Sequence, residues 1–372
     1  MKIKIMKDEL LSYIQPLITV VPSKNVMPLL TNFLIVAKEE ESIIDITTTD
    51  LSMSVSVEIS ANVLESGTVA VSAKNFTEII NSLPDKEIDI FTDNEFLRIE
   101  CLKSNFNLIV SDHSQFPLIP KLDLTNSNVF PAAQIKKMIS LVEFAVATDT
   151  KRAVFNGVSW TINPDKQIMA ATDGKKIAEA TFIHENGIEE TKSYILATKT
   201  LSFLIKIISD DDDQLDAILE DKRVMFHYKN YTIFSHLLTG VYPDYNRAIP
   251  IDHDKTLVIN RAELINAVKR VSLMASYEIF SMRFEISKDT LKIFTKSREQ
   301  GEAKEDITNI TYEGDDLIIA FNYKYLLQVL NVMYSEEVIF KFKKSKTPVL
   351  LFNKTESENF NSRFLLMPLN KA

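Results

Sequence analysis

The sequence predicts an α+β chain built from three copies of one domain, each an antiparallel sheet layer carrying two helices, and two observations predict it. A short apolar strand runs directly into an amphipathic helix three times, in MKIKIMKDELLSYIQPLITVV from Met1, NVFPAAQIKKMISLVEFAVAT from Asn128 and TLVINRAELINAVKRVSLMAS from Thr256. A second helical stretch and closing strands follow each opening: AKNFTEIINSLPDKEIDIF then FNLIVSDHSQFPLIP, ATKTLSFLIKIISDDDDQL then YTIFSHLLTGVYPDYNRAIP, and FNYKYLLQVLNVMYSEEVIF then NSRFLLMPLNKA. The repeat distance of about 125 residues is that of a whole domain rather than of a short-period solenoid.

Within the first copy, 32–37, 43–47 and 51–57 are rich in β-branched residues, and the last alternates with period two. Their counterparts are 154–160 with 168–171, then 282–286 with 291–294. Each copy therefore reads as strand, helix, strands, helix, strands, which suits an α+β layer better than a parallel sheet. Turn residues cluster at 117–128 (PLIPKLDLTNSN) and 250–255 (PIDHDK), placing the domains at 1–125, 126–253 and 254–372. Such short linkers hold domains in fixed relation. The acidic run at 210–213 reads as a solvated loop after a helix, with a metal site as the alternative.

At 45% apolar and 25% charged residues, the composition is that of an ordered protein. No apolar run approaches the ~20 residues of a membrane helix, and the charge alternation from Lys2 is not that of a signal peptide. The one cysteine, Cys101, leaves no intrachain disulfide or zinc finger to build and points to a reducing cytoplasm. A net charge of −9 argues against nucleic acid, but its distribution does not. The helical stretches 7–20, 74–83, 132–147, 199–209, 261–274 and 322–334 together carry +5, which leaves −14 for the rest of the −9 chain. Lysines collecting on solvated helix faces would look the same.

No reaction is nominated. The seven glycines stand at least thirteen residues apart, so neither a phosphate-cradling loop nor a dinucleotide fingerprint exists. The five histidines form no HExxH and no i,i+4 pair, and there is no GxSxG elbow. Ser111-Asp112-His113 names triad residues, yet sequence neighbours rarely face one another in triad geometry.

Several stretches resemble the bacterial DNA polymerase III beta subunit, the replicative sliding clamp. Ala171-Thr172-Asp173-Gly174 followed by Lys175-Lys176 resembles that family's ATDG turn, and Tyr242-Pro243-Asp244-Tyr245-Asn246-Arg247, ending at Pro250, its FPDY-x-R…P segment. Arg152 through Asn156-Gly157, Met367-Pro368-Leu369, the KNVMPLLTNF stretch from Lys24 and Thr49-Asp50-Leu51 match in register over the full length. The resemblance implies three DNA-clamp domains with two helices each on the inner face, and a head-to-tail homodimer closing a six-domain ring. It implies a non-enzymatic processivity factor without cofactor or metal, holding duplex DNA without sequence preference. Lys24, Lys136, Lys137, Lys199, Lys206, Lys269, Arg270 and Lys324 are the candidate DNA-facing cations, each also readable as a plain surface charge.

The resemblance further implies a pocket taking QLxLF-type peptides from the replicative polymerase, clamp loader and repair proteins. Its matching positions are Phe155, Thr172, Gly174, Lys175, Ile177, Pro243, Arg247, Ala248, Val349, Leu365, Leu366, Met367, Pro368 and Leu369. An apolar cleft with a basic rim can bury such anchors; the same residues would equally serve to cement a domain junction. Lys175-Lys176 stands where many relatives have His-Arg, Ala248 replaces a larger aliphatic, and the chain continues to Asn370-Lys371-Ala372. The implied dimer contact sets Phe106 and Leu108 against Leu273 and Met274, with Lys74 and Lys103 facing Glu299, Glu302 or Glu305. Exposed ion pairs there contribute only ~0–1 kcal/mol each, so apolar contact should dominate. The rival readings are a triple-domain scaffold that never encircles DNA and a metal-dependent nucleic-acid hydrolase.

Overall fold

The computed structural model describes residues 1–22, 27–117, 119, 124–148, 152–185, 188–209, 211 and 213–370. Six times a strand turns into a helix with no intervening loop, giving α1 (Lys7–Leu17), α2 (Ala73–Ser82), α3 (Ala132–Val142), α4 (Thr198–Ile207), α5 (Arg261–Ser272) and α6 (Tyr323–Val332). Apolar spacing explains each buried stripe: Leu10, Ile14 and Leu17 on α1, Ala73, Phe76 and Ile80 on α2, and Leu264, Ala267, Val268 and Val271 on α5. At α2, α5 and α6 the last residue of the preceding strand serves as cap. Ser72 Oγ accepts the Asn75 N–H at 3.3 Å, Asn260 Oδ1 that of Glu263 at 3.0 Å, and Asn322 Oδ1 that of Lys324 at 3.0 Å.

By packing, the chain divides into two units, residues 1–133 with 199–237, and 134–198 with 238–372. The first unit holds one thirteen-stranded sheet, with α1 against α2. The second holds a nine-stranded and a four-stranded sheet, with α5 against α6. The middle repeat is shared between the units, because its strands extend the sheets of its neighbours. Tyr231–His236 pairs antiparallel with Met53–Ser60 (Tyr231 opposite Val57), and Phe360–Leu366 with Lys176–Ile183 (Leu366 opposite Lys176).

The repeat persists down to single hydrogen bonds. At the turn before Met53–Ser60, Asp50 Oδ1 accepts the N–H groups of Ser52 (2.9 Å) and Met53 (2.8 Å), while Thr49 Oγ1 accepts that of Leu51 (3.0 Å). At the turn before Lys176–Ile183, Asp173 Oδ1 accepts from Lys175 (2.8 Å) and Lys176 (3.0 Å), and Thr172 Oγ1 from Gly174 (3.0 Å). The residue after the aspartate is left-handed in both, φ 73° at Leu51 and 83° at Gly174. The TDL and ATDG stretches of the sequence are thus one turn used twice.

Two strands lack the pairing their counterparts have. Among the described residues Gly301–Ile307 pairs only with Thr290–Ser297. Ser104–Ser111 pairs along its length with Phe96–Cys101, but on its other side only Val110 and Ser111 find partners, leaving 104–109 bare. Both are edges of the kind that invite another strand.

The Lys199 ammonium reaches the Asp50 carboxylate and the Val20 carbonyl oxygen (2.7 Å) within the first unit. Burial pushes the Asp50 carboxyl up, but its bonds from Lys199, Ser52 and Met53 outweigh burial and hold it below the ordinary 3.8. A folded-state value below the unfolded one adds stability that is present above the unfolded value and lost as pH falls through the folded one. Asp50→Asn should therefore melt below the parent chain at neutral pH, with the gap closing below about pH 3.8; a gap independent of pH would disprove the linkage. No described helix is long and apolar enough to cross a membrane.

Candidate functional site

A cleft of about 170 Å³ opens in the second unit, lined by Phe155, Thr172, Gly174, Lys175, Lys176, Ile177, Pro243, Tyr245, Ala248, Leu365 and Met367. Its floor is the end of the Lys176–Ile183 and Phe360–Leu366 pair, where Ile177 and Leu365 join buried Leu350, with Tyr245, Ile249 and Phe352 packed against them. Its lip is the Asp173 turn. A Cβ at Gly174 would meet nothing within 4 Å, so the backbone conformation, and not space, calls for glycine. Met367 continues the sheet past its last strand, its N–H on the Lys175 carbonyl at 2.9 Å, and stands 41% exposed at the mouth.

The far wall is the Pro243–Ala248 segment, whose described backbone bonds are local: Tyr245 N–H to Pro243 O (2.8 Å) and Ile249 N–H to Asn246 O (3.1 Å). Side chains tie it down. The Tyr242 hydroxyl accepts the Thr172 N–H at 3.1 Å, its ring lies edge-on to Phe155 with centroids 6.5 Å apart, and burial pushes its pKa up to about 12. The Tyr245 hydroxyl donates to Glu179 Oε2 at 2.8 Å, and burial, then the Glu179 charge, raises its pKa far above the ordinary value. Arg363, directly opposite Glu179 across the strand pair, donates from Nη2 to Glu179 Oε2 (2.8 Å) and to Asn246 Oδ1 (3.0 Å). An apolar floor under a rim carrying exposed Lys175 and Arg247 suits apolar anchors followed by a polar or acidic flank. A larger hollow of about 500 Å³ lies beside Glu285, Lys292, Asp306 and Asp316; its charged walls offer less to an apolar side chain.

Nine expected pocket residues meet here: Phe155, Thr172, Gly174, Lys175, Ile177, Pro243, Ala248, Leu365 and Met367. Val349 and Leu366 lie in the core beneath, Arg247 is exposed and paired with Asp244 at 3.0 Å, and Pro368 and Leu369 are half-buried behind the mouth, Leu369 N–H on Ala320 O at 2.8 Å. Lys176 and Tyr245 were missed. Lys176 is 4% exposed, with Nζ on Asp173 Oδ2 at 2.6 Å and 4.5 Å from the Tyr325 ring centroid. Both sit inside motifs already singled out, Lys176 at the end of the Asp173 turn and Tyr245 in the Tyr242–Arg247 segment.

The candidate DNA-facing cations divide. Lys24 lies outside the described residues. Lys206 and Lys269 are exposed with no ion-pair partner among the described residues, and Lys136 is half-exposed on α3. Four others are engaged within the chain. Lys199 holds Asp50, Arg270 pairs with Glu305, and Lys324 lies 3.5 Å from the Phe280 centroid. Lys137 lies 3.8 Å from the Phe360 centroid and 4.6 Å from that of Tyr334, where burial lowers its pKa against the opposing pull of Glu356.

Of the expected dimer residues, Leu273 is 70% and Met274 39% exposed, Phe106 is half-buried and Leu108 is packed in its own sheet. Strand alternation instead turns Ile109 outward, 73% exposed, with Leu102 exposed at the turn of the same hairpin, and Tyr277 and Ile279 are exposed after Leu273. Glu305 is taken by Arg270, Glu302 lies 3.4 Å from Lys296, Lys74 3.9 Å from Glu78, and Lys103 and Glu299 are exposed. Of the acidic run, 210 and 212 lie outside the described residues, and Asp211 and Asp213 pair with Lys229 at 3.7 and 2.8 Å.

Family models of the DNA polymerase III beta subunit match the chain in three consecutive pieces: N-terminal domain over 1–120, central domain over 129–244 and C-terminal domain over 246–370. The beta sliding clamp of Staphylococcus epidermidis is 30% identical, and that of Staphylococcus aureus 29%, each over 359 residues covering 94% of this chain and 95% of the relative. Among solved structures, a sliding clamp from Pseudomonas aeruginosa bound to griselimycin superposes with TM-score 0.92 at 26% identity, covering 100% of this chain and 99% of the other. The DNA polymerase sliding clamp of Bacillus subtilis gives 0.91 at 27% identity, with full coverage of both chains.

Proposed function

This chain belongs to the DNA polymerase III beta subunit family, the bacterial sliding clamps, and on that footing we propose that it closes head to tail with a second copy into a six-domain ring around duplex DNA. Its function is that of a processivity clamp. The observation carrying the assembly is the pair of bare edges, 104–109 and 301–307. The corresponding strands elsewhere pair inside the chain, Met53–Ser60 with Tyr231–His236 and Lys176–Ile183 with Phe360–Leu366. The third such pairing is left for a second copy. Because the two edges differ, the contact is heterologous and must close on itself or run into a filament. Ile109 on one edge and Leu102 at its turn, and Leu273 with Met274 near the other, supply the apolar contact.

Topology supplies retention on DNA, so only weak phosphate attraction is required of the helices. We assign it first to Lys206 and Lys269, and after them to Lys136. The cleft holds QLxLF-type peptides from the polymerase, loader and repair proteins. The chain works in the cytoplasm as a non-catalytic tether, with domains at 1–125, 126–253 and 254–372. Loading onto a nicked circle with the cognate loader and ATP tests the ring. Retention that survives high salt but is lost once the circle is linearised is expected; equal stripping from both forms would leave the scaffold reading.

A further inference from the structure

We propose that Glu179 is a positioning residue for the peptide cleft, holding the Pro243–Ala248 wall in its binding shape through Tyr245, Arg363 and Asn246. The proposal rests on the cleft being the peptide site, and goes beyond it by naming a residue that is not among those lining the cleft. Among the described residues the wall has no strand partner, and its backbone bonds close only on itself. A segment so held is set by side chains or not at all. Glu179 is 6% exposed in the middle of Lys176–Ile183, the strand that forms the cleft floor. One carboxylate oxygen receives both the Tyr245 hydroxyl and Arg363 Nη2, at 2.8 Å each, and the same guanidinium nitrogen reaches Asn246 Oδ1 at 3.0 Å. Two wall residues are thereby referenced to one rigid cross-strand pair, Glu179 opposite Arg363.

The arrangement also explains the choice of a buried charge. A neutral amide would offer Tyr245 an acceptor but turn donors toward Arg363, leaving a partly buried cation uncompensated. The Tyr245 ring lines the cleft while its hydroxyl bonds away to Glu179, so the ring and the clamp are separable by mutation.

Tyr245→Phe keeps the ring and removes the clamp bond; Glu179→Gln keeps the size and removes the charge. A wall that must first regain its shape lowers the binding-competent fraction, so affinity falls through association, whereas a lost contact speeds dissociation. With the full-length dimer and a fluorescent synthetic QLxLF-type peptide, each variant should bind roughly tenfold more weakly. The loss should lie mainly in the association rate, and the double variant should be scarcely worse than the worse single, as expected of one network. Wild-type affinity in Tyr245→Phe, or a loss carried wholly by dissociation, overturns the proposal. If Glu179→Gln does not fold, Tyr245→Phe alone decides. No binding by the unaltered chain would overturn the cleft assignment, and the positioning role with it.

Discussion

Replacing Met367 and Leu369 with alanine is expected to abolish capture of a QLxLF-type peptide while leaving the chain dimeric. Met367 stands at the mouth of the cleft, 41% exposed, its backbone fixed by its N–H to the Lys175 carbonyl. A flexible thioether there adapts to the anchor it covers. Leu369 backs it from a half-buried position tied to Ala320. Burying one such side chain contributes about 1.5–3 kcal/mol, so truncating both should weaken binding by roughly 100-fold or more. Fluorescence anisotropy reads the affinity, and sedimentation confirms the dimer, since neither residue lies on a bare edge. Unchanged affinity in the double variant would remove the site.

The second large effect is expected from Leu273→Asp. Leu273 is 70% exposed in the single chain, at the end of α5, so a carboxylate there costs the protomer little. In the assembled dimer the same carboxylate would be taken from water into an apolar contact. An uncompensated charge at a buried interface costs about 2–5 kcal/mol, enough to raise the dimer dissociation constant by roughly 30-fold to several thousandfold. Analytical ultracentrifugation at micromolar concentration should find monomer with an unaltered far-UV spectrum. A dimer of undiminished strength would exclude Leu273 from the interface.

Much of this architecture is legible in the residues because it is local. Strand-to-helix junctions at Ser72, Asn260 and Asn322 announce themselves as capping residues before amphipathic stretches, and the Thr-Asp turn is written twice. The cleft was legible through the family resemblance rather than through local pattern: nine of its expected residues meet in it, most of them in the quoted motifs. What the residues do not disclose is which distant group a long side chain meets. Lys137 on two aromatic rings, Lys199 on Asp50 and Arg270 on Glu305 each looked like a cation open to phosphate. Their partners lie tens or hundreds of residues away, and no local pattern encodes that choice. The bare edges were equally hidden, since an unpaired strand has the same alternation as a paired one.

Those edges bear on how much of the protein there must be. In the proposed ring, edges covered by a second copy would make part of the folded state's stability a property of the solution rather than of the molecule, because association draws on concentration by mass action. A cell holding few copies would keep more of them as separate chains with sticky borders, open to off-pathway strand addition. Abundance is then part of what keeps this protein whole.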